Sequence, residues 1–157
     1  MKKLSVLLAA VLLAVALAGC SSSRVSGFHG MNWGASRADV IAQFGEGAEA
    51  SGGEFLMYSD IGFGDISCIS YFWFNGASGG LLYGFDTFPA YGSTASLKTV
   101  IVDKASEIYG SPDSESGDYV YWFDGDDVCL MVYSDSSSVT LGYFSPAYNR
   151  AVAQMYS

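Results

Sequence analysis

The chain has 157 residues and a formal net charge of −9 at pH 7, from 16 acidic and 7 basic side chains. Such an acidic protein repels polyanions, which excludes nucleic acid as a partner and disfavours contact with anionic lipid headgroups. Hydrophobic residues make up 50% of the chain and aromatic residues 15%, which excludes a disordered protein and allows a full core.

The first 20 residues end in a run of small residues followed by a cysteine. Lys2 and Lys3 give a positive start, residues 4–17 form an apolar run, and Leu-Ala-Gly precedes Cys20. The apolar run is shorter than an ordinary membrane-spanning helix. The segment resembles the bacterial lipoprotein signal, in which a signal peptide, here residues 1–19, is removed. The resemblance implies that Cys20 is acylated and anchors the protein to a membrane.

The same resemblance implies an extracytoplasmic position in the bacterial cell envelope. The residue after the cysteine is Ser21 and not aspartate. In bacteria with two membranes, a residue other than aspartate at this position implies transport to the outer membrane. Loss of Lys2 and Lys3 with the signal peptide changes the net charge to −11. The serine-rich residues 20–27 predict a flexible linker, so that a single folded domain spans residues 28–157.

Capping residues indicate where three helices begin. Ser36 is the expected N-cap of the first helix, with Asp39 at its third position, and Ser93 or Thr94 begins the second. Ser145, followed directly by a proline, begins a short C-terminal helix.

Two similar segments divide the domain into repeats at about residues 30–90 and 91–146. In each repeat a helix-like segment ends in glycine, at Gly45 or Gly110, and three strand-like runs follow. The runs are 54–59, 66–75 and 80–88 in the first repeat, and 118–123, 127–134 and 138–144 in the second. This pattern predicts an α+β fold in which two αβββ units form an antiparallel sheet with helices packed on one face.

The strands carry large aromatic residues at both odd and even positions. Because strand side chains alternate between the two faces, helices on one face leave aromatic rings on the other. A partly exposed aromatic face of this kind is typical of interaction surfaces. Any single ring could instead fill the core. The candidate binding residues are Tyr71, Trp73, Tyr83, Tyr121 and Tyr133.

Cys68 and Cys129 lie in the middle strands of the two repeats, and two interpretations are open. In an oxidising compartment two cysteines often form a disulfide, whereas buried free thiols are also common. Equivalent middle strands in a side-by-side sheet are three steps apart, about 14 Å. A disulfide requires Cα atoms within about 7 Å, so it would need the two meanders to pack around a common axis.

The stretch from Gly30 to Gly45 resembles the opening of small outer-membrane lipoproteins of the SmpA/BamE type. A Gly-Met pair precedes a capped helix that ends in Phe-Gly, although Trp33 and Gly34 interrupt the usual spacing and no proline follows the last glycine. The doubled helix-plus-meander layout is similar to the β-lactamase-inhibitor-protein-like fold. These resemblances imply a non-enzymatic domain whose concave sheet face binds a protein.

Few residues are arranged for catalysis or metal binding. His29 is the single histidine and is predicted at the surface of the domain edge, so a zinc site lacks ligands. No Gly-x-Ser-x-Gly motif marks a nucleophile. The acidic run 124–127 has oxygen ligands for calcium but more strongly predicts a hairpin turn. We therefore predict no enzymatic activity, no cofactor and no metal.

The leading hypothesis is a membrane-anchored envelope lipoprotein that binds another protein through its aromatic sheet face. The alternative is a lipoprotein that binds carbohydrate or a small ligand, with tyrosine and tryptophan rings stacked on sugars. An envelope hydrolase that uses acidic residues ranks last.

Overall fold

A computed structural model describes residues 23–50, 53–76 and 79–155. The signal segment and Cys20 lie outside these residues. The described fold is mixed α+β and mostly sheet, with helices α1 (Arg37–Phe44), α2 (Thr94–Tyr109) and α3 (Pro146–Met155). None of these described helices is long and apolar enough to cross a membrane.

Eight strands form one antiparallel sheet in the order β3-β4-β7-β8-β12-β11-β10-β9, and four more form the hairpins β1–β2 and β5–β6. In chain order the strands are β1 (Gly27–Phe28), β2 (Met31–Asn32), β3 (Ala48–Ala50), β4 (Phe55–Tyr58), β5 (Gly62–Phe63), β6 (Ile66–Ser67), β7 (Ile69–Phe74), β8 (Leu81–Pro89), β9 (Ser114–Ser116), β10 (Tyr119–Asp124), β11 (Asp127–Ser134) and β12 (Ser138–Phe144).

The six long strands lie close to their predicted positions. The predicted runs 127–134 and 138–144 coincide with β11 and β12. The predicted run 66–75 is divided, because its first residues pair with β5 in a hairpin and β7 begins at Ile69. The edge strands β3 and β9 and the two hairpins have two or three residues per strand, too few for an alternating pattern to predict them.

Local side chains define the helix ends as expected. The Ser36 hydroxyl accepts from the Asp39 N–H at the start of α1, and the Asp39 carboxylate accepts from the Ser36 N–H. Gly45 ends α1 with a φ of 84°, a conformation that favours glycine. Ser93 caps α2, and the Ser145 hydroxyl caps α3 by accepting from a backbone N–H.

The core lies between one face of the sheet, here called the inner face, and the helices α1 and α2. Val40 of α1 and Ile101 and Ala105 of α2 are fully buried in this layer. Trp122 of β10 is also buried and donates its indole N–H to the Gly110 carbonyl at the end of α2, with 2.7 Å between the two atoms. The inner face therefore contributes mainly to stability through burial of apolar area.

The hairpin β1–β2 packs on the inner face as well. Phe28 is 1% exposed, and its ring lies against Gly84 of β8, 4.7 Å from the Phe72 ring and 4.9 Å from the Tyr143 ring. Val25, which was predicted to belong to the linker, is 2% exposed and belongs to the same core. The chain is thus packed against the domain from Val25 onward.

Cys68 and Cys129 are free and buried, so the disulfide interpretation is not realised in this structure. Cys68 precedes β7 and Cys129 lies in β11, and β8 and β12 separate these two strands. Three strand steps correspond to about 14 Å, too far for a disulfide. Each thiol instead donates to a nearby backbone carbonyl, that of Ile61 for Cys68 and that of Trp122 for Cys129.

Candidate functional site: an aromatic sheet face

The outer side of the sheet, opposite α1 and α2, carries a continuous group of partly exposed rings. We call it the aromatic face, and the six central strands β4, β7, β8, β12, β11 and β10 contribute to it through every second side chain. Its aromatic residues are Phe55, Tyr71, Trp73, Tyr83, Phe85, Tyr119, Tyr121, Phe123, Tyr133 and Phe144.

One group of rings lies over β7, β8 and β12. Tyr71 and Phe85 are paired across strands and stack with ring centroids 4.5 Å apart and planes inclined by 12°. Trp73 and Tyr83 stack in the same way at 5.1 Å and 20°. Phe144 extends the row, 6.2 Å from Tyr83. Because the rings lie nearly parallel to one another, they cover each other's faces and present mainly edges to solvent.

A second group lies over β10 and β11. Tyr119 and Tyr133 are cross-strand partners whose ring centroids are 4.8 Å apart. Tyr121 stacks on Tyr119 along the strand at 5.9 Å, and Phe123 continues the stack at 6.2 Å. Tyr119 is 38% exposed, more than any other ring of this face.

A shallow groove separates the two groups, because Gly142 of β12 has no side chain. The groove has a volume of about 270 Å³ and its lining includes Tyr83, Phe85, Met131 and Phe144. A Cβ atom added at Gly142 would lie 2.9 Å from the Phe144 ring, which leans over the glycine. The groove is thus an apolar recess at the centre of the face.

Helix α3 lies at one end of this groove. The Tyr148 ring is 4.8 Å from Tyr83 and 5.2 Å from Phe144, and the Asn149 side chain donates to the Val128 carbonyl. A second recess of about 260 Å³ between α3 and the sheet shares Met131 and Phe144 with the first. Burial raises the pKa of Tyr83, and the neighbouring Tyr148 adds to the effect.

The aromatic face has no charged side chain between its strand ends, among the residues that the structure describes. Its non-aromatic positions include Met57, Ile69, Thr87, Val128, Met131, Ser138, Thr140 and Gly142. In a chain with 16 acidic residues this is an unusual distribution, because acidic side chains elsewhere keep the surface hydrated. Desolvation of the face therefore requires no carboxylate to lose water.

All five binding residues predicted from the sequence, Tyr71, Trp73, Tyr83, Tyr121 and Tyr133, lie on this face and are partly exposed. Five further rings of the face were missed: Phe55, Phe85, Tyr119, Phe123 and Phe144. Counting alternate positions outward from the predicted tyrosines would have found most of them. The groove and its contact with α3 depend on the registers of β8, β12 and β11, which the sequence pattern does not show.

The prediction that His29 lies at the surface is wrong, because the structure places its side chain mostly inside the domain. Its side chain is 13% exposed, and its Nε2 atom is 2.8 Å from Oδ1 of Asp86 on β8. Ser70 donates its hydroxyl to the same carboxylate oxygen and has no exposed surface. Although serine, histidine and aspartate meet here, the serine oxygen is therefore not placed as a nucleophile.

The acidic run at residues 124–127 forms the β10–β11 hairpin turn, as expected. Asp124 and Asp127 are the closing pair, and Gly125 has a φ of 64° at the first central position. In the described part of the chain, no group of three or more histidine, cysteine, aspartate or glutamate side chains is suited to hold a metal ion.

Comparison with known proteins adds no assignment. No protein-family model, no curated protein and no solved structure matches this chain. The resemblances to SmpA/BamE-type lipoproteins and to the β-lactamase-inhibitor-protein-like fold thus depend on the sequence pattern alone.

Proposed function

We propose that this chain is a bacterial envelope lipoprotein, anchored to a membrane through lipid on Cys20, whose domain binds another protein without catalysing a reaction. The observation that carries the proposal is the aromatic face, an uncharged surface of ten partly exposed rings on a strongly acidic protein. Tyrosine and tryptophan contribute most of the binding energy in many protein interfaces, and charged residues are depleted at interface centres.

The arrangement of the rings favours a protein over a carbohydrate as the partner. A sugar packs its C–H groups on the open face of a ring. Here Tyr71 with Phe85 and Trp73 with Tyr83 are stacked on each other, so one face of each of these rings is already covered. Exposed ring edges and a central recess suit apolar side chains of a protein partner. The tyrosine hydroxyl groups suit its polar groups. Carbohydrate or small-ligand binding stays the second candidate, and a hydrolase ranks below it.

We also propose that the domain consists of two αβββ units. The strand order supports this, because β3-β4-β7-β8 follow α1 and β9-β10-β11-β12 follow α2, and the last strand of each series meets the other at the sheet centre. Each series has one short strand more than the proposed unit, at its outer edge. Both series contribute rings to the aromatic face, so the proposed binding surface would span the two units.

The binding proposal is tested by replacing two rings and comparing with a tyrosine outside the face. Tyr121→Ala with Tyr133→Ala removes two rings of the face, and Tyr91→Ala removes a ring that is 100% exposed in the loop before α2. We expect one envelope protein to co-purify with the wild type and Tyr91→Ala, and at least about tenfold less of it with the double variant. Equal recovery with all three folded proteins would contradict the proposal.

Two further experiments test the remaining parts of the proposal. Labelled palmitate should be incorporated into the wild-type protein and not into Cys20→Ala. Label retained by the variant would contradict lipid attachment at Cys20. On a glycan array, signal from the wild type that the double variant loses would favour the carbohydrate alternative.

A further inference from the structure

A separate cavity of about 340 Å³ lies on the inner side of the sheet, away from the aromatic face. It opens where the hairpins β1–β2 and β5–β6 meet the C-terminal end of α2. Its walls include the side chains of Arg24, His29, Asn32, Tyr109 and Tyr143, and glycines of the two hairpins form part of its rim. A small molecule with several polar groups fits this volume and lining.

A buried carboxylate stands behind the cavity wall. The Asp86 side chain has no exposed surface, and its Oδ1 atom contacts His29 and accepts from Ser70 at 2.6 Å. Its Oδ2 atom is buried and has no hydrogen-bond partner among the described residues. An oxygen in this state calls for a bound ion, water or ligand nearby. Burial raises the pKa of Tyr109 and Tyr143, and the Asp86 charge raises it further.

The hydrogen bonds of His29 define which ring nitrogen is available to a ligand. Nε2 lies 2.8 Å from Asp86 Oδ1 and 3.1 Å from Ser70 Oγ, so it carries the proton that the carboxylate accepts. Nδ1 has no partner in the described part of the chain, and in the neutral ring it is an acceptor. His29 and Gly30 form the two-residue turn between β1 and β2, and their φ values of 48° and 79° are the positive values that such a turn favours.

The charges around the cavity favour a cationic ligand. The Arg24 guanidinium is already paired with the Asp113 carboxylate. The Asp86 carboxylate has no lysine or arginine partner among the described residues, and the His29 imidazole contacts it through Nε2. The partly exposed ring of Tyr109, which lines the cavity, adds an aromatic surface that attracts cations. An anion would instead meet the buried negative charge, and an apolar ligand would leave Nδ1 without a hydrogen bond.

We propose that this cavity binds a small primary amine in its ammonium form. The ammonium group donates an N–H to Nδ1 of His29, and the Asp86 carboxylate compensates its charge. This site is independent of the aromatic face, so its failure would leave the proposed function intact.

The single histidine of the chain makes the site directly observable. Long-range ¹H–¹⁵N NMR of the purified full-length protein reports both ring nitrogens of His29 during titration with 1,4-diaminobutane. We expect a saturable shift at Nδ1 that exceeds the shift at Nε2. Tetramethylammonium at equal ionic strength has the charge but no N–H donor. We expect its binding to be weaker by about tenfold or more.

Two variants of matched charge complete the test. Asp86→Asn removes the buried charge and should abolish the shift, whereas Asp126→Asn removes the same charge from the exposed hairpin turn and should leave it unchanged. If Asp86→Asn does not fold, the wild-type titrations decide alone. An absent Nδ1 shift, an equal shift with tetramethylammonium, or a saturable shift with sodium acetate would overturn the proposal.

Discussion

At the scale of single residues, burial decides the chemistry of the two core thiols. Burial raises the pKa of Cys68 to about 12 and that of Cys129 to about 11. The thiolate is the reactive form, so both residues are protonated and unreactive near neutral pH. Their positions in apolar runs indicated buried residues, but whether they pair depended on the strand order.

We predict that a thiol-specific dye added without reductant detects neither Cys68 nor Cys129 in the folded protein. After unfolding we expect two reactive thiols if Cys20 is acylated and three if it is not. Thiols that appear only after reduction would mean that Cys68 and Cys129 form a disulfide, and would contradict the strand arrangement described above.

Surface carboxylates stabilise several turns. The pKa of Asp135 is lowered because its carboxylate accepts from the backbone N–H groups of Ser137 and Ser138 between β11 and β12. The Phe123 N–H lowers the pKa of Asp113 in the same way. Since the folded pKa lies below the ordinary 3.8, each contribution to stability is complete above that pH and is lost as the pH falls through the folded pKa.

For Asp135→Asn we predict a lower melting temperature than wild type at neutral pH. The difference should narrow as the pH falls below 3.8, because the wild-type carboxyl then becomes neutral too. Asp126→Asn is the control, since no described residue forms a hydrogen bond with that carboxylate. Thermal unfolding followed by circular dichroism measures both, and a difference that widens in acid would contradict the assignment.

At the scale of elements, contacts between residues close in the chain could be predicted from the sequence, whereas contacts between distant residues could not. The cap formed by Ser36 with Asp39 and the β10–β11 turn in the run 124–127 each join residues within three positions of each other, and both lie where they were predicted. The hairpin β1–β2 is different. Its packing depends on Phe28 meeting Gly84, which is 56 positions away in the chain, and no periodic pattern marks such a contact.

Gly84→Ala tests this hairpin contact. A Cβ at this position would lie 2.2 Å from the Phe28 ring, so the ring and its hairpin must move. We expect a loss of about 1–3 kcal/mol in the free energy of unfolding, measured with urea. Gly92→Ala is the matched control, because its Cβ would meet no atom within 4 Å. Equal stability of the two variants would show that Phe28 does not occupy this space.

At the scale of the whole molecule, the sheet separates the core from the aromatic face. The inner face holds the core, the helices α1 and α2, and the N-terminal hairpin, whereas the outer face carries the rings. Alternation along the strands was enough to predict an open aromatic face with Tyr71 and Tyr133 on it. It could not predict the pairing of His29 with Asp86, because that pair depends on how the hairpin β1–β2 lies across the sheet.

The separation also bears on orientation at a membrane. The described chain begins at Ser23, beside the hairpin β1–β2 on the inner side of the sheet. If Cys20 is the anchor, the tether therefore attaches on the side opposite the rings. The aromatic face then stays accessible to a partner while the protein is held at the membrane.

Photo-crosslinking in living cells tests the central claim most directly. A photoreactive phenylalanine analogue replaces Tyr133 on the aromatic face in one protein and the fully exposed Tyr91 in another. We predict that position 133 forms a covalent adduct with one envelope protein and that position 91 does not. If position 133 yields no adduct with a protein, or the same adducts as position 91, the aromatic face is not a protein-binding surface.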